Sequence, residues 1–172
     1  MVSHAALESW AGAGRVTCSF VNWHVPSEAI KTLAEVGLPR LDTRFVPSPQ
    51  GGEVPVLSYG YVLGREEVEE GHQHSDDCSE CSYFAIKEGA GEVLYGPPRA
   101  GDGEVLTVNT SLRYFVYFLH KQGAASSRYS QLPEEVMMRR YERVVNRLKN
   151  HDLTAMSDDS SFWRQRFTRL WG

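Results

Sequence analysis

The order of its apolar segments constrains the fold of this chain most strongly. Short strand-like runs bounded by glycine and proline occupy the middle of the sequence, and longer segments with helical periodicity occupy the end. An alternating segment at residues 15–20 and a helical segment opened by Pro26 and Ser27 precede them. The order is therefore strand, helix, several strands and then helices. Short connections between the strands predict an α+β fold, in which helices pack against a mostly antiparallel central sheet.

The clearest strand signal is a predicted hairpin. The apolar runs Ser82–Ile86 and Glu92–Tyr95 flank a connection that contains two glycines, which is typical of a β-hairpin. Val54–Leu63 is a further strand-like run, and Glu104–Val108 is expected to be the last strand.

Helical periodicity appears in four parts of the chain. The first helix is expected to run from Ser27 to Gly37, where a glycine can adopt the left-handed conformation that ends helices. Its expected buried residues are Ile30, Leu33, Ala34 and Val36. A second helix begins near Leu112 and is expected to stop at Gly123, with a linker after it. A third follows Pro133, and a last one carries Trp163 and Phe167.

Length and charge exclude several classes of protein. The chain has 172 residues and is expected to form a single domain over residues 1–172. Its formal net charge of −4 excludes the basic profile of a general nucleic-acid binder. The longest apolar run, Tyr114–Leu119, is too short to span a membrane. No secretory signal is apparent and the cysteine count is odd, so we expect a reduced, cytoplasmic protein that contacts neither nucleic acid nor membrane.

Negative charge is concentrated in residues 66–81, which we call the acidic segment. No Lys or Arg interrupts it, and its acidic residues are Glu66, Glu67, Glu69, Glu70, Asp76, Asp77 and Glu80. Such a run can be a solvated loop that resists packing. Alternatively, it is a surface that attracts a basic partner and accelerates association.

The acidic segment also contains the pattern H-x-H-x3-C-x2-C, formed by His72, His74, Cys78 and Cys81. Two imidazoles and two thiolates can form a tetrahedral zinc site. All four residues are close in sequence, so an ion would close only its own loop, whereas structural zinc gains most by closing a long one. The sequence therefore leaves open a structural zinc ion and a metal-free polar loop. Four protein ligands would leave no vacant position for a catalytic zinc.

No catalytic residue is predicted. The sequence contains no nucleophile elbow, no P-loop and no dinucleotide-binding fingerprint. His24 has no predicted partner that would make it a general base.

Several segments occur in a recognisable order. They are Leu33–Pro39, Tyr61–Gly64, the hairpin from Ile86 to Val93, Val108–Phe115, His151–Met156 and Phe162–Trp163. Their order and spacing, over about residues 10–171, resemble the fourth SUKH family of bacterial immunity proteins. The resemblance implies a SUKH-like α+β fold and a protein that binds and neutralises a cognate toxin by stoichiometric occlusion.

The resemblance also implies what the partner is. It would be a protein toxin, for example a basic nuclease or deaminase, and the chain itself is expected to be a monomer or a weak dimer. The family implies no catalytic residue and no cofactor. The alternatives are a SUKH-type regulatory scaffold without a toxin and a small zinc-binding protein or enzyme.

Charged and aromatic residues are the candidates for toxin contact. The acidic segment replaces the tight connection that the family is expected to have, so its side chains are candidate steering contacts. These are Glu66, Glu67, Glu69, Glu70, Asp76 and Asp77. Tyr59 and Tyr61, with Tyr83 and Tyr95, are candidate aromatic anchors on the sheet, although core packing is their alternative role. A second contact surface, or simply the solvated side of a helix, is predicted at Arg139, Arg140, Arg143 and Arg147.

Overall fold

The structure is a computed structural model that describes residues 15–17, 23–39, 45–48, 56–66, 81–101, 103–129 and 131–171. The strands within these ranges are β1 (Arg15–Val16), β2 (Leu38–Pro39), β3 (Phe45–Pro47), β4 (Val56–Leu57), β5 (Gly60–Glu66), β6 (Tyr83–Ile86), β7 (Val93–Gly96) and β8 (Leu106–Asn109). The helices are α1 (Ser27–Lys31), α2 (Leu112–Tyr129), α3 (Glu134–Lys149) and α4 (Phe162–Trp171), with a 3₁₀ turn at Thr154–Met156. Among these described helices, none combines the length and the hydropathy that a bilayer crossing requires.

The main sheet has the strand order β3-β5-β6-β7-β8, and β4 also pairs with β5. β1 and β2 form a separate two-stranded sheet. Every pairing between described strands is antiparallel. The predicted α+β fold is therefore confirmed. The predicted hairpin is β6–β7, in which Ile86 lies opposite Val93, and Gly89 and Gly91 adopt positive φ angles of 71° and 78° in the connection.

An aromatic core joins the main sheet to α2 and α4. The ring of Phe84 on β6 lies 5.4 Å from that of Phe45 and 5.2 Å from that of Phe115 on α2. Phe115 in turn lies 6.2 Å from Trp163 on α4. All four side chains are at most 1% exposed. Burial of an aromatic side chain contributes about 1.5–3 kcal/mol, so these rings contribute much of the attraction between the helices and the sheet.

The end of the first helix differs from the prediction. α1 continues as a π-helical turn over Thr32–Val36 and ends, as predicted, at Gly37 with φ of 74°. The Gly37 amide donates to the Thr32 carbonyl at 3.0 Å, which is an i→i+5 hydrogen bond. Ile30 and Ala34 are exposed, contrary to the prediction, because the buried face is the neighbouring stripe of the helix. The residues buried along this stretch are Ala29, Thr32, Leu33 and Val36.

The second helix does not stop at Gly123 but continues to Tyr129. On either side of the glycine, Gln122 and Ala125 are only 1% and 4% exposed, so both face the interior. A glycine inside a helix costs about 1 kcal/mol, and burial of its neighbours offsets a cost of that size. The stretch predicted as a linker is therefore helical as far as Tyr129.

Candidate partner-binding surface

The acidic segment leaves and re-enters the main sheet at one place. Glu66 ends β5, and its backbone amide donates to the carbonyl of Ser82 at 3.0 Å, directly before β6. These two strands are antiparallel neighbours. The steering candidates Glu67, Glu69, Glu70, Asp76 and Asp77 lie outside the described residues. Their proposed role stays a prediction, and the structure places the base of the segment that carries them.

Glu66, which lies within the described residues, belongs to an internal polar network. Its Oε1 accepts a hydrogen bond from Nη1 of Arg166 at 2.9 Å, and its Oε2 accepts one from the Tyr95 hydroxyl. The Arg166 Nε donates to Oε1 of Gln122 at 3.0 Å. The side chains of Arg166 and Glu66 are 5% and 20% exposed. Glu66 therefore ties the end of β5 to α4, and its charge is compensated within the chain.

The same network changes the acidity of Tyr95. Burial, together with the hydrogen bond to Glu66, raises the pKa of Tyr95 to about 12. Because the folded-state pKa lies above the ordinary value of 10.0, the folded state holds this proton more tightly than the unfolded state does. The resulting stabilisation is complete below pH 10 and is lost as the pH rises towards 12.

Removal of the Glu66 carboxylate is expected to lower stability. The E66A substitution leaves the buried guanidinium of Arg166 without its anion, and breaking a partly buried ion pair in this way costs about 2–4 kcal/mol. Urea unfolding followed by circular dichroism measures the change. The control is E142A, the same substitution at an exposed position of α3, for which we expect a change within about 0.5 kcal/mol. Equal unfolding midpoints for the two variants would contradict the structural role of Glu66.

Tyr59 lies in the turn between β4 and β5, within a run that the sequence predicted as one strand. Gly60 interrupts that run with φ of 151°, a backbone conformation that residues other than glycine rarely adopt. The Tyr59 hydroxyl donates to the carbonyl of Gly96 at 2.8 Å, and the Pro97 carbonyl is 3.2 Å away. Burial raises the pKa of Tyr59 well above its ordinary value. The half-buried side chain of Tyr59 thus reaches β7, where the hydrogen bond to Gly96 holds its hydroxyl group.

Tyr61 forms a partly exposed aromatic pair with Trp23. The two rings are stacked, with centroids 4.8 Å apart and an interplanar angle of 12°. The Tyr61 hydroxyl accepts a hydrogen bond from the His24 amide at 3.2 Å and donates one to Oε1 of Glu88 at 3.3 Å. The side chains of His24 and Glu88 are 84% and 64% exposed. We call these four residues the aromatic patch. Neither Trp23 nor His24 lies in a segment with a periodic pattern, and the patch arises from contact between distant segments.

The other two candidate tyrosines, Tyr95 and Tyr83, are partly buried on the sheet. Tyr95 packs against Phe84 and Phe162, with ring centroids 4.9 Å and 4.8 Å away. Tyr83 is half-buried on β6. Core packing, the alternative role considered for these residues, therefore accounts for Tyr95.

Cys81 is fully buried and disulfide-bonded, which differs from the expectation of reduced thiols. Its partner sulfur lies outside the described residues, as do His72, His74 and Cys78. A zinc site with the predicted ligands needs Cys81 as a thiolate, so it could form only after reduction of this disulfide. Among the residues that the structure describes, no group of three or more His, Cys, Asp or Glu side chains is placed to bind a metal ion. The zinc site remains a prediction for the reduced protein.

A cationic groove lies between α2 and α3. We call it the basic groove; its volume is about 220 Å³, and it is lined by Lys121, Tyr129, Arg140, Arg143, Val144, Arg147 and Leu148. Arg140, Arg143 and Arg147 are exposed, as the sequence predicted for the solvated side of this helix. The structure adds that these side chains converge on α2.

Positive charge around the basic groove affects its neighbours. Burial lowers the pKa of His120 to about 4, with a further contribution from the charges of Lys121 and Arg128. Burial also lowers the pKa of Lys121, helped by Arg147 and Arg128. The positive charges at this groove are therefore close enough to disfavour each other.

Acidification is expected to destabilise the protein through His120. Its folded-state pKa of about 4 lies below the ordinary 6.5, so the stabilisation is complete above pH 6.5 and is lost as the pH falls towards 4. Between pH 7 and pH 4, the free energy of unfolding of H120Q should fall by about 1–2 kcal/mol less than that of the wild type, after allowance for screening at a half-buried site.

Urea denaturation at each pH measures this difference. The control is H24Q, the same substitution at a histidine whose side chain is 84% exposed. Parallel stability curves for H120Q and the wild type would contradict the assignment.

Three of the six segments that suggested a family resemblance meet in a buried polar cluster around Asp152, which is 3% exposed. Its Oδ2 accepts hydrogen bonds from Nδ2 of Asn109 at 3.1 Å and from the amide of Thr110 at 2.9 Å. Its Oδ1 accepts one from the amide of Ala155 at 3.2 Å. Trp163 Nε1 donates to Oδ1 of Asn109 at 2.9 Å. This cluster, the Asp152 cluster, joins the end of β8, the 3₁₀ turn and α4.

Fold and surface together define an α+β protein with a helix-covered antiparallel sheet and candidate protein-contact surfaces. A family model described as SUKH-4 immunity protein matches residues 2–169. The chain belongs to the SUKH-4 immunity protein family, and the resemblance is confirmed. No curated protein and no solved structure matches the chain.

Proposed function

We propose that this chain binds a cognate bacterial toxin and neutralises it by one-to-one occlusion, without turnover. The observation that carries the proposal is the family match over residues 2–169. The described geometry supports it, because the Asp152 cluster and the Glu66–Arg166 pair serve the framework. We therefore assign recognition of the toxin to side chains at the surface of the protein.

Within the described residues, the proposed toxin contact is the aromatic patch. Trp23 and Tyr61 are half-buried and already stacked, so binding would order little that is not ordered in the free protein. His24 and Glu88 form an exposed polar rim beside the rings. Aromatic residues within a polar rim are typical of interface hot spots. The acidic segment has the proposed role of accelerating encounter with a basic toxin.

The proposal is tested with a partner captured on the purified chain and identified by mass spectrometry. When the captured protein is expressed alone it should arrest growth, and co-expression of this chain should restore growth. In a titration, toxin activity should fall linearly and reach zero at an equimolar amount of this chain. W23A should weaken binding by more than tenfold, mainly through faster dissociation. L153A, which removes a 64% exposed apolar side chain elsewhere, should not.

Two results would overturn the proposed neutralisation, and a third would overturn only the proposed contact surface. A partner that binds tightly but does not arrest growth would favour the regulatory-scaffold alternative. Loss of toxin activity at a small molar fraction of this chain would indicate turnover rather than occlusion. Equal affinities for W23A and L153A would place the toxin contact outside the aromatic patch.

A further inference from the structure

The basic groove has its positive charges in a row. Arg140, Arg143 and Arg147 follow each other at intervals of three and four residues, so they lie on one side of α3. With a rise of 1.5 Å per residue, the row extends about 10 Å along the helix axis. Lys121 of α2 faces this row from the other wall.

Nothing among the described residues neutralises the row. Among the described residues, no carboxylate forms an ion pair with Arg140, Arg143 or Arg147, and none lines the groove. The Arg140 guanidinium lies over the ring of Tyr129, 5.6 Å from its centroid, which holds it at the groove wall. Val144 and Leu148 add apolar lining. The groove therefore combines a row of cations with a partly apolar floor, where ion pairs are stronger than on an open surface.

We infer that the basic groove is a second docking site, which binds an acidic segment of a protein partner through carboxylates paired with Arg140, Arg143 and Arg147. This goes beyond the proposed function, and it does not depend on which toxin the chain neutralises. Arginine suits the task, because its guanidinium can hold a carboxylate through two parallel hydrogen bonds.

The spacing of the cations favours a peptide. Side chains on one side of an extended peptide repeat about every 6.6–7 Å. The axial separation of Arg143 and Arg147 is about 6 Å, so successive carboxylates of an acidic strand can reach successive arginines. A nucleic acid would extend beyond the groove over a protein with a net charge of −4, which opposes its binding.

The test uses a fluorescein-labelled oligoglutamate peptide and fluorescence anisotropy at low ionic strength. The wild-type protein should bind the peptide, and the affinity should fall as salt is added. R143E/R147E should weaken binding by at least about tenfold. The matched control is R99E/R139E, which makes the same change of charge at two exposed arginines outside the groove and should retain affinity within about twofold. Unchanged circular dichroism and melting temperature establish that both variants fold.

A milder pair, R143Q/R147Q, should give an intermediate loss. Equal losses in R143E/R147E and R99E/R139E would overturn the inference, because only net charge would then matter. Tighter binding of a single-stranded oligonucleotide of equal charge would also overturn it, in favour of a nucleic-acid site. A wild-type dimer that R143E/R147E dissociates would show that a second copy is the occupant. A negative peptide test would overturn the basic groove as a docking site without bearing on toxin neutralisation. A negative growth-rescue test would overturn toxin neutralisation without bearing on the basic groove.

Discussion

Replacement of Asp152 by alanine is expected to lower the free energy of unfolding by about 3–5 kcal/mol. The carboxylate accepts hydrogen bonds from the Asn109 side chain and from the amides of Thr110 and Ala155. Without it, the buried donors of Asn109 and Ala155 lose their acceptor, and each unsatisfied group costs about 1–3 kcal/mol. The loss spans β8, the 3₁₀ turn and α4, so we expect cooperative destabilisation rather than fraying of one end.

Urea unfolding measured by circular dichroism and tryptophan fluorescence gives the D152A value. The control is D159A, because the Asp159 side chain is 92% exposed and its ion pair with Arg164 should contribute at most about 1 kcal/mol. D152N should lie between the two, since its amide can keep one acceptor but presents a donor to the other partner. A D152A midpoint equal to that of D159A would refute the role assigned to the Asp152 cluster.

Replacement of Trp163 by alanine is expected to cost about 3–5 kcal/mol. The indole is fully buried and contacts Phe115, Phe118 and Phe167, with ring centroids 5.3–6.2 Å away. Removal of a side chain of this size leaves a cavity that the surrounding rings can only partly fill. Thermal and urea unfolding measure the loss, and W23A serves as the control because Trp23 is only half-buried.

Trp163 and Asp152 should not act independently. Both bond to Asn109, at 2.9 Å and 3.1 Å, so the removal of either group leaves the amide less well placed for the other. A double-mutant cycle with W163F and D152N removes one hydrogen-bonding group at each site and should give a coupling energy of about 0.5–2 kcal/mol. Additive losses within error would show that the Asp152 cluster does not act as a unit.

Periodicity predicted the elements whose burial is regular. The β6–β7 hairpin and the helix after Pro133 follow their sequence patterns, because regular strands and helices bury residues at fixed intervals. The buried face of α1 was predicted wrongly, because Thr32 is polar and the apolar Ile30 and Ala34 indicated the neighbouring stripe. Gly123 misled the prediction of α2 because tertiary burial outweighs local propensity there.

The site was harder to predict than the fold. In the sequence, Glu66 is the first residue of an acidic run, and nothing local indicates that Arg166, a hundred positions later, neutralises it. The aromatic patch depends on a contact between Trp23 and Tyr61, which lie in segments far apart in the chain. The four arginines of α3 were visible, but only the structure shows which three of them share a groove with Lys121.

A hydrogen bond from the Glu66 amide to the Ser82 carbonyl joins the end of β5 to the residue before β6. This link has an evolutionary consequence. A stretch of chain whose two ends are already fixed side by side can be lengthened, shortened or exchanged at little cost, since each doubling of a loop adds only about 0.6 kcal/mol of closure entropy. Residues 67–80 can therefore change in length or sequence at little cost to the sheet, the aromatic core and α4.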